Sequence, residues 1–255
     1  MRLAIVPFWR QGGSMTARSV LGLIGLALAI GLLGCSEKSG GSDQGKSDKP
    51  APDFPAGQGQ TANGAPAYPA PPYGISIGSI IENYQFVGYA NGEKRDSGLQ
   101  IVQLADFYNP DGKGVYPAGS PYGEGQPKPV TLLIDVASVW CGPCNEEAKS
   151  VLPGKHASLK PLGGEFLLQL ADGPTQGVAA TAHNLDNWTK LYDVEFPATI
   201  DPSGKLSALF EADAFPANFI IDTRTMRIVK AINGVPDSSF WTTFKNTISA
   251  GTVTQ

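Results

Sequence analysis

The feature that most constrains this chain is an apolar run that leads directly into a pair of cysteines. Residues Val130–Val136 read Val-Thr-Leu-Leu-Ile-Asp-Val, and Cys141-Gly142-Pro143-Cys144 follows after a further four residues. A continuous apolar run of this kind predicts a central strand buried on both faces. Apolar residues then recur at helical spacing, which predicts a helix beginning near the second cysteine: Cys144, Ala148, Val151 and Leu152.

A cysteine pair at a strand-to-helix junction suits thiol-disulfide exchange. The thiolate is the attacking species, and a helix N-terminus lowers the pKa of a nearby thiol. Two intervening residues allow a disulfide within the first helical turn, where Pro143 fits because its missing N–H is not needed. We expect Cys141 to be the exposed attacking thiol and Cys144 the buried resolving thiol. Glu146 and Glu147 are expected in the first turn, where acids complement the helix dipole.

A zinc site and a plain structural disulfide are the alternatives for this pair. A structural zinc site takes four ligands. Only His156 and His183 could supplement the cysteines, and neither has the spacing of a paired ligand. We expect both histidines on the surface and no bound metal, so redox exchange is the favoured interpretation.

The rest of the chain from residue 75 onward alternates strand-like and helix-like segments. The predicted strands are Tyr84–Tyr89, Leu99–Leu104, Glu165–Leu170, and a hairpin of Ala217–Ile221 with Met226–Ile232. One helical stripe consists of Val178, Ala182, Leu185, Trp188 and Tyr192. The last helix presents Phe240, Phe244 and Ile248, with Asp237 or Ser238 as its cap. This order predicts an α/β fold whose mixed sheet is covered on both faces around one core.

The first 34 residues are expected to be a targeting signal. Three arginines and no acid accompany the apolar run Val20–Leu33, whose 14 residues are too few to span a bilayer, which takes about 20. A basic start and a short apolar run are typical of a secretory signal, and a start at Met15 would give it a more usual length. The run ends in Leu32-Leu33-Gly34-Cys35, which resembles the lipobox of bacterial lipoproteins. The resemblance implies cleavage before Cys35 and its acylation, which would make the lipid bilayer a partner.

Residues 35–74 are expected to be the lipid-bearing cysteine and a disordered tether rich in proline and glycine. This segment has almost no large aliphatic residues and cannot bury enough apolar surface to become ordered. Removing the three arginines of the signal from the 19 basic residues leaves 16 against 23 acids, so the remaining charge is near −7. That balance disfavours a nucleic-acid partner. By resemblance to known lipoproteins, Ser36 favours the outer membrane, with the protein facing the periplasm.

The residues around the cysteine pair resemble a known family. Val130–Lys149, with Trp140 before the first cysteine, resembles the active-site region of thioredoxin-like proteins. Residues from about 80 to 250 resemble the exported TlpA/ResA-like branch, a redoxin-related group of thiol-disulfide oxidoreductases. The resemblance implies a thioredoxin-like fold over residues 75–255, with a central mixed sheet flanked by helices and an added N-terminal β element. It also implies that Trp140, Gly142 and Pro143 contact the substrate.

Two acids match positions that the family uses. Asp135 lies six residues before Cys141, like the buried acid of thioredoxin that relays the proton of the buried thiol. Glu147 lies three residues after Cys144, like the active-site Glu of the ResA-like branch that tunes the thiols. Their joint presence leaves the relay open between them, with a solvated first-turn acid as the plain alternative for Glu147. Burial would raise the pKa of an acid inside an apolar strand.

The resemblance further implies a cis-proline opposite the cysteines, where the preceding backbone pairs with bound substrate. Phe215-Pro216, followed by a strand, fits best, and Phe196-Pro197 is its rival. Phe215 is bulkier than the usual Thr or Val, which leaves the direction of exchange and the partner open. The sequence also has Ala137 where thioredoxin usually has tryptophan, and Ala148-Lys149 lacks the proline common in this branch.

The expected function is that of an extracytoplasmic thiol-disulfide oxidoreductase that reduces protein disulfides, because a Gly-Pro interior goes with a low potential. No GxGxxG motif is present, so we expect no cofactor beyond the Cys141–Cys144 disulfide, and a membrane thiol donor as the source of electrons. A thiol peroxidase is an alternative, but Ser138 and Ile134 stand where peroxidatic sites carry Thr and Pro. A copper-binding assembly factor that uses His183 is another.

Overall fold

The structure, a computed structural model, describes residues 66–92, 98–201, 204 and 214–250. The predicted signal, the lipidation site Cys35 and most of the predicted tether lie outside these residues. Within the described residues, no helix has both the length and the apolar character needed to cross a membrane.

Seven strands and four α-helices follow one another along the described chain. The strands are β1 Gln85–Tyr89, β2 Gln100–Gln103, β3 Thr131–Ser138, β4 Gly164–Asp172, β5 Ala198–Ile200, β6 Ala217–Asp222 and β7 Arg227–Asn233. The helices are α1 Gly142–Ser150, α2 Leu152–Leu159, α3 Ala182–Leu191 and α4 Ser238–Ser249. Single-turn 3-10 helices add Leu104–Phe107 and Lys160–Leu162.

The strands form one mixed sheet in the order β2-β1-β5-β4-β3-β6-β7. Strands β3, β4 and β5 are parallel, whereas β1, β2, β6 and β7 pair antiparallel with their neighbours. The predicted central strand is therefore confirmed, since β3 lies between β4 and β6 and is buried along its whole length. The predicted hairpin is β6–β7, and the expected N-terminal β element is β1–β2. The sequence patterns missed β5, which has only three residues.

Alternate residues of β3 serve two cores on opposite faces of the sheet. Leu133 and Ala137 pack into a cluster to which all four helices contribute. Leu132, Ile134 and Val136 pack into a second cluster with Phe107 and with residues before β1. Both faces of the sheet are covered, as predicted, and in the described part of the chain the second cover consists of the segment before β1 and the residues that follow β2 rather than an α-helix.

Three details of the predicted helices are corrected. The first helix begins at Gly142 rather than near Cys144, so neither Glu146 nor Glu147 lies in its first turn. The expected single helix ends at Ser150, and α2 starts at Leu152 with Pro153 in its first turn. A proline in a helix interior would lose a backbone hydrogen bond, which explains the break. Val178 lies before α3 and is 55% exposed.

The prediction that His156 lies on the surface is wrong. His156 is only 3% exposed, and its Nε2 lies 2.7 Å from Oε1 of Glu165. Its ring packs on Phe166 and Phe196. It shares the inward face of α2 with Leu152 and Leu159, so the helix buries a polar residue for which β4 supplies the partner.

The ordered domain begins earlier than the predicted boundary at residue 75. The hydroxyl of Tyr68 donates to the carbonyl of Ile81 at 2.8 Å, and its ring packs on Tyr108. Tyr73 forms a β-bridge with Ile80. Tyrosines near the end of the predicted tether therefore anchor it to the second core.

Phe244 of α4 provides a test of the core on the helical face of the sheet. Its side chain is fully buried and meets the ring of Phe166 edge-on at 5.8 Å. We expect Phe244→Ala to lower the free energy of unfolding by about 3–5 kcal/mol, because the substitution leaves a cavity. Urea denaturation of the oxidised protein measures this change. Leu191→Ala is the control, since Leu191 is 72% exposed, and an equal loss in both variants would contradict the assignment of this core.

Candidate active site

The two cysteines of the motif form a disulfide at the N-terminus of α1. Cys141 and Cys144 are bonded, and Cys141 is the N-cap residue of the helix. Its Sγ accepts a hydrogen bond from the backbone N–H of Cys144 at 3.1 Å. Its own N–H donates to the carbonyl of Ser138, the last residue of β3. The central strand and the helix end therefore meet at the sulfur atoms, where the helix dipole favours negative charge.

The expectation that Cys141 is exposed is wrong for this oxidised state. Cys141 is 3% exposed and Cys144 is 1% exposed. Both belong to the core on the helical face, and the partly buried Trp140 and Phe215 pack against that core. Because the N-cap geometry turns the sulfur of Cys141 toward the helix, the side chain does not project into solvent. The order of attack by the two thiols stays a prediction.

An aromatic pair lies next to the disulfide. Trp140 meets Phe215 edge-on, with ring centroids 5.7 Å apart. The indole N–H of Trp140 donates to Oδ2 of Asp172 at 3.0 Å, and the N–H of Gly177 donates to the same oxygen at 2.9 Å. Asp172 therefore fixes the indole through a bond that the sequence did not reveal.

The bond before Pro216 is cis, as expected from the resemblance, and the bond before Pro197 is not among the cis bonds of the described chain. Pro216 comes immediately before β6, which pairs with β3. Its carbonyl accepts from the N–H of Gly234 at 2.7 Å. Contact of Phe215 and Pro216 with a substrate, and of Gly142 and Pro143, stays a prediction.

Asn145 secures the loop before the helix. Its Nδ2 donates to the carbonyls of Val139 and Cys141, at 3.1 and 2.6 Å. Its Oδ1 accepts from the hydroxyl of Tyr192 at the end of α3. The sequence gave no sign of this role beyond the position directly after the motif.

Two carboxyl groups and one amide are buried on the sheet face that carries the disulfide. Asp135 is 2% exposed and Glu147 is 1% exposed, which rules out the solvated alternative for Glu147. Asp135 pairs across the strands with Asn218 of β6. The Nδ2 of Asn218 donates to Oε1 of Glu147 at 3.3 Å and to the carbonyl of Gly234 at 3.4 Å. Sequence analysis missed Asn218, although a polar residue inside the apolar strand Ala217–Ile221 was its signal.

Burial makes both carboxyl groups hard to ionise. Burial raises the pKa of Asp135 above its ordinary value. Burial also raises the pKa of Glu147, the negative charge of Asp135 raises it further, and the hydrogen bond from Asn218 opposes these effects. No ion pair compensates either acid within the described chain. The pair therefore retains a proton at pH values where exposed carboxyls are ionised.

Metal binding finds no support in the side chains around the site. In the parts of the chain that the structure describes, no group of three or more His, Cys, Asp or Glu residues is arranged to hold a metal ion. His183 is exposed, and its Nε2 lies 3.0 Å from Nδ2 of Asn187.

Three features define a thioredoxin-like α/β fold: a disulfide at the start of α1, where the chain leaves the central strand β3; a cis-proline directly before β6; and a β6–β7 hairpin followed by α4. No protein-family model matches the chain. It is 26% identical over 103 residues to the thiol-disulfide oxidoreductase ResA of Bacillus cereus strain ZK / E33L, covering 40% of this chain and 54% of that protein. It is 25% identical over 133 residues to ResA of Bacillus thuringiensis subsp. konkukian strain 97-27, covering 52% and 60%. The matches thus span little more than half the length of these curated relatives.

Among solved structures, the chain is similar to the exposed lipoprotein thioredoxin Etrx1 of Streptococcus pneumoniae strain TIGR4. The two share 18% identity over 66% of this chain and 99% of the other, with a TM-score of 0.42. A likeness at this level carries no functional argument.

Replacement of the buried acid Glu147 should change how stability depends on pH. The unfolded chain loses this proton near the ordinary pKa of glutamate, whereas the folded chain keeps it to higher pH. The folded state therefore binds more protons, and stability falls as the pH rises through that window. We expect the free energy of unfolding of Glu147→Gln to rise relative to the unmodified protein between pH 5 and pH 8. The gain should be about 1 kcal/mol or more, since one pKa unit corresponds to about 1.4 kcal/mol.

Urea denaturation of the oxidised protein at each pH measures this difference. Glu146→Gln is the matched control, because the same change falls on the neighbouring, exposed acid. Parallel pH profiles for the unmodified protein and Glu147→Gln would show that the carboxyl of Glu147 ionises normally in the folded state.

Proposed function

We propose that this protein is an extracytoplasmic thiol-disulfide oxidoreductase that reduces protein disulfides with its Cys141–Cys144 pair. The single observation that carries the proposal is the disulfide at the N-terminus of α1, on the same sheet face as two buried carboxyl groups. A thiol donor in the membrane recharges the pair, and acylated Cys35 tethers the chain to the periplasmic side of the envelope, with the outer membrane favoured. The names of the curated ResA relatives support the activity.

The reaction proceeds through a mixed disulfide. In the reduced protein, the thiolate of Cys141 attacks one sulfur of a substrate disulfide, and the other sulfur leaves as a thiolate that takes up a proton. Cys144 then gives up its proton and attacks Sγ of Cys141. The bond to the substrate breaks, and the second substrate sulfur leaves as a thiolate that takes up a proton from solvent. The substrate gains two electrons and two protons, and the protein returns to the disulfide form seen in the structure.

One buried acid accepts the proton of Cys144. A general base works best when its pKa lies near the operating pH, because it must start unprotonated and still hold the proton that it takes. An ordinary carboxyl is far more acidic than a thiol, but burial raises the pKa of Asp135 and Glu147 toward that of a thiol. Both are candidates for this transfer, because both lie on the sheet face that carries the cysteines.

Substrate binding is assigned to the residues around the disulfide. Trp140 and Phe215 form an aromatic edge beside it, and Phe215 precedes the cis-proline Pro216. Gly142 and Pro143 are exposed in the first turn of α1. This arrangement offers an apolar contact and a backbone edge to an extended segment of a substrate protein.

The electrostatics favour a reductant over an oxidant. A strong oxidant of this class has a stabilised reduced form. Here the buried acids provide negative charge and no cation pairs with them within the described residues. Their negative charge opposes the stabilisation that the helix dipole gives a thiolate at this site, which favours the disulfide form and lowers the reduction potential.

The reduction potential of the Cys141–Cys144 pair tests this proposal. We expect equilibration of the full chain against dithiothreitol to give a value near that of thioredoxin, about −270 mV. A value near −120 mV would instead describe a protein that forms disulfides. The Cys141→Ser/Cys144→Ser double variant controls for thiol chemistry elsewhere in the chain.

Single cysteine variants test the order of attack. We expect Cys144→Ser to accumulate mixed disulfides with substrate proteins, because no resolving thiol remains to release them. Cys141→Ser should accumulate far fewer, since the proposed mechanism assigns the attack on substrate to Cys141. Non-reducing gel electrophoresis after reaction with a disulfide-bonded protein such as insulin measures both. Equal trapping by the two variants would reverse or abolish the assigned roles.

A further inference from the structure

We propose that Asn218 is a positioning residue that holds the carboxyl of Glu147 beside Asp135, so that the two acids act as one unit sharing a single proton. The inference deepens the proposed function, on which its consequence for Cys144 rests. Its starting point is geometric: Asn218 is opposite Asp135 in the β3–β6 register and hydrogen-bonded to Glu147 of α1.

The orientation of the Asn218 amide follows from its neighbours. The carbonyl of Gly234 can only accept a hydrogen bond, and it lies 3.4 Å from Nδ2 of Asn218. The NH2 group therefore faces Gly234 and Glu147, because a flipped amide would place two acceptors against each other. The amide thus donates to one oxygen of the Glu147 carboxyl and holds this side chain against β6.

Three oxygens of the cluster lack a donor within the described chain. Asp135 Oδ1, Glu147 Oε2 and Asn218 Oδ1 are buried, and none has a hydrogen-bond partner within the described chain. A buried acceptor without a donor is costly. All three are acceptors unless one acid is protonated, so a carboxyl proton is the hydrogen that this cluster itself can supply. With one proton, the pair carries a single negative charge.

Among the residues that the structure describes, no cation forms an ion pair with either acid of the cluster. From β7, Ile232 lies opposite Asn218, and α4 contributes Phe240, Phe244 and Ile248 to the same core. On α1 the neighbouring groups are the disulfide-bonded cysteines, which do not titrate in this state. Burial therefore raises the pKa of Asp135, and burial, the charge of Asp135 and the opposing hydrogen bond from Asn218 set the pKa of Glu147. In the proposed reaction, the pair of carboxyl groups already carries one proton and accepts the proton of Cys144 as its second.

Removal of the amide should move the titration of the pair. Hydrogen bonds to a carboxylate favour its charged form, so Asn218→Leu should raise the pH at which the pair loses its proton. We expect an upward shift of about one pH unit in the carboxyl carbon resonances of Asp135 and Glu147. Carbon-13 NMR of the full oxidised chain measures this, with Asp135→Asn and Glu147→Gln used to assign the signals. Asn218→Ala removes the same amide without added bulk and should shift the titration in the same direction.

Gln169→Leu is the matched control. Gln169 is a fully buried amide of β4, and its neighbours Leu168 and Leu170 face the core of the disulfide, so its own side chain points to the opposite face. The control variant should leave both acids unchanged. In a Glu147→Gln background, the effect of Asn218→Leu on the titration of Asp135 should shrink strongly, because the two residues act through each other.

Two results would overturn the assignment of Asn218. One is a titration that Asn218→Leu and Asn218→Ala leave where it was. The other is a shift of Asp135 that persists undiminished without the Glu147 carboxyl. The NMR readout does not depend on catalysis. A chain with no disulfide reductase activity but the predicted titration would refute the proposed function and leave the coupled acids standing, whereas an active chain with uncoupled acids would do the reverse.

Discussion

Burial of β3 on both faces determines where the chemistry of this protein can occur. The strand is buried along its whole length, so no side chain of β3 is accessible to a substrate up to its last residue, Ser138. The next residues are held by hydrogen bonds, because Asn145 binds the carbonyls of Val139 and Cys141 and Asp172 binds the indole of Trp140. The sulfur of Cys141 then caps α1. The buried strand thus fixes the position of the short loop that follows it, and this loop places the disulfide at the N-terminus of α1.

The same burial creates the acid cluster. Because side chains alternate along a strand, Asp135 must face the core that holds the disulfide, together with Leu133 and Ala137. Glu147 reaches that core from α1, one turn after Cys144. Neither acid has a cationic partner among the described residues, and buried charges without partners are unfavourable. The interior can accommodate the pair only if a proton neutralises part of its charge, which explains why the two acids must be considered together.

The parts of the fold that the sequence predicted are those set by local patterns. A continuous apolar run predicted β3, alternation predicted β2, and strand-like segments predicted β1, β4 and the β6–β7 hairpin. The cysteine motif predicted the site, and its spacing to Asp135 and Glu147 indicated both acids through resemblance. What local patterns did not reveal depends on partners distant in sequence. Strand β5 is too short for a pattern, His156 is buried because Glu165 meets it from β4, and Asn218 matters because β6 pairs with β3 in one register.

In the proposed function, the raised pKa of Glu147 affects both stability and catalysis. A carboxyl that keeps its proton in the folded state weakens the fold as the pH rises, because the unfolded chain releases that proton more readily. In the proposed mechanism, the same raised pKa lets the pair of acids hold the proton that Cys144 gives up. A glutamine at this position would remove the first effect and the second together. Packing alone offers no reason to retain an ionisable group in a core of Leu, Phe and Trp side chains, and the proposed proton transfer at the disulfide supplies one.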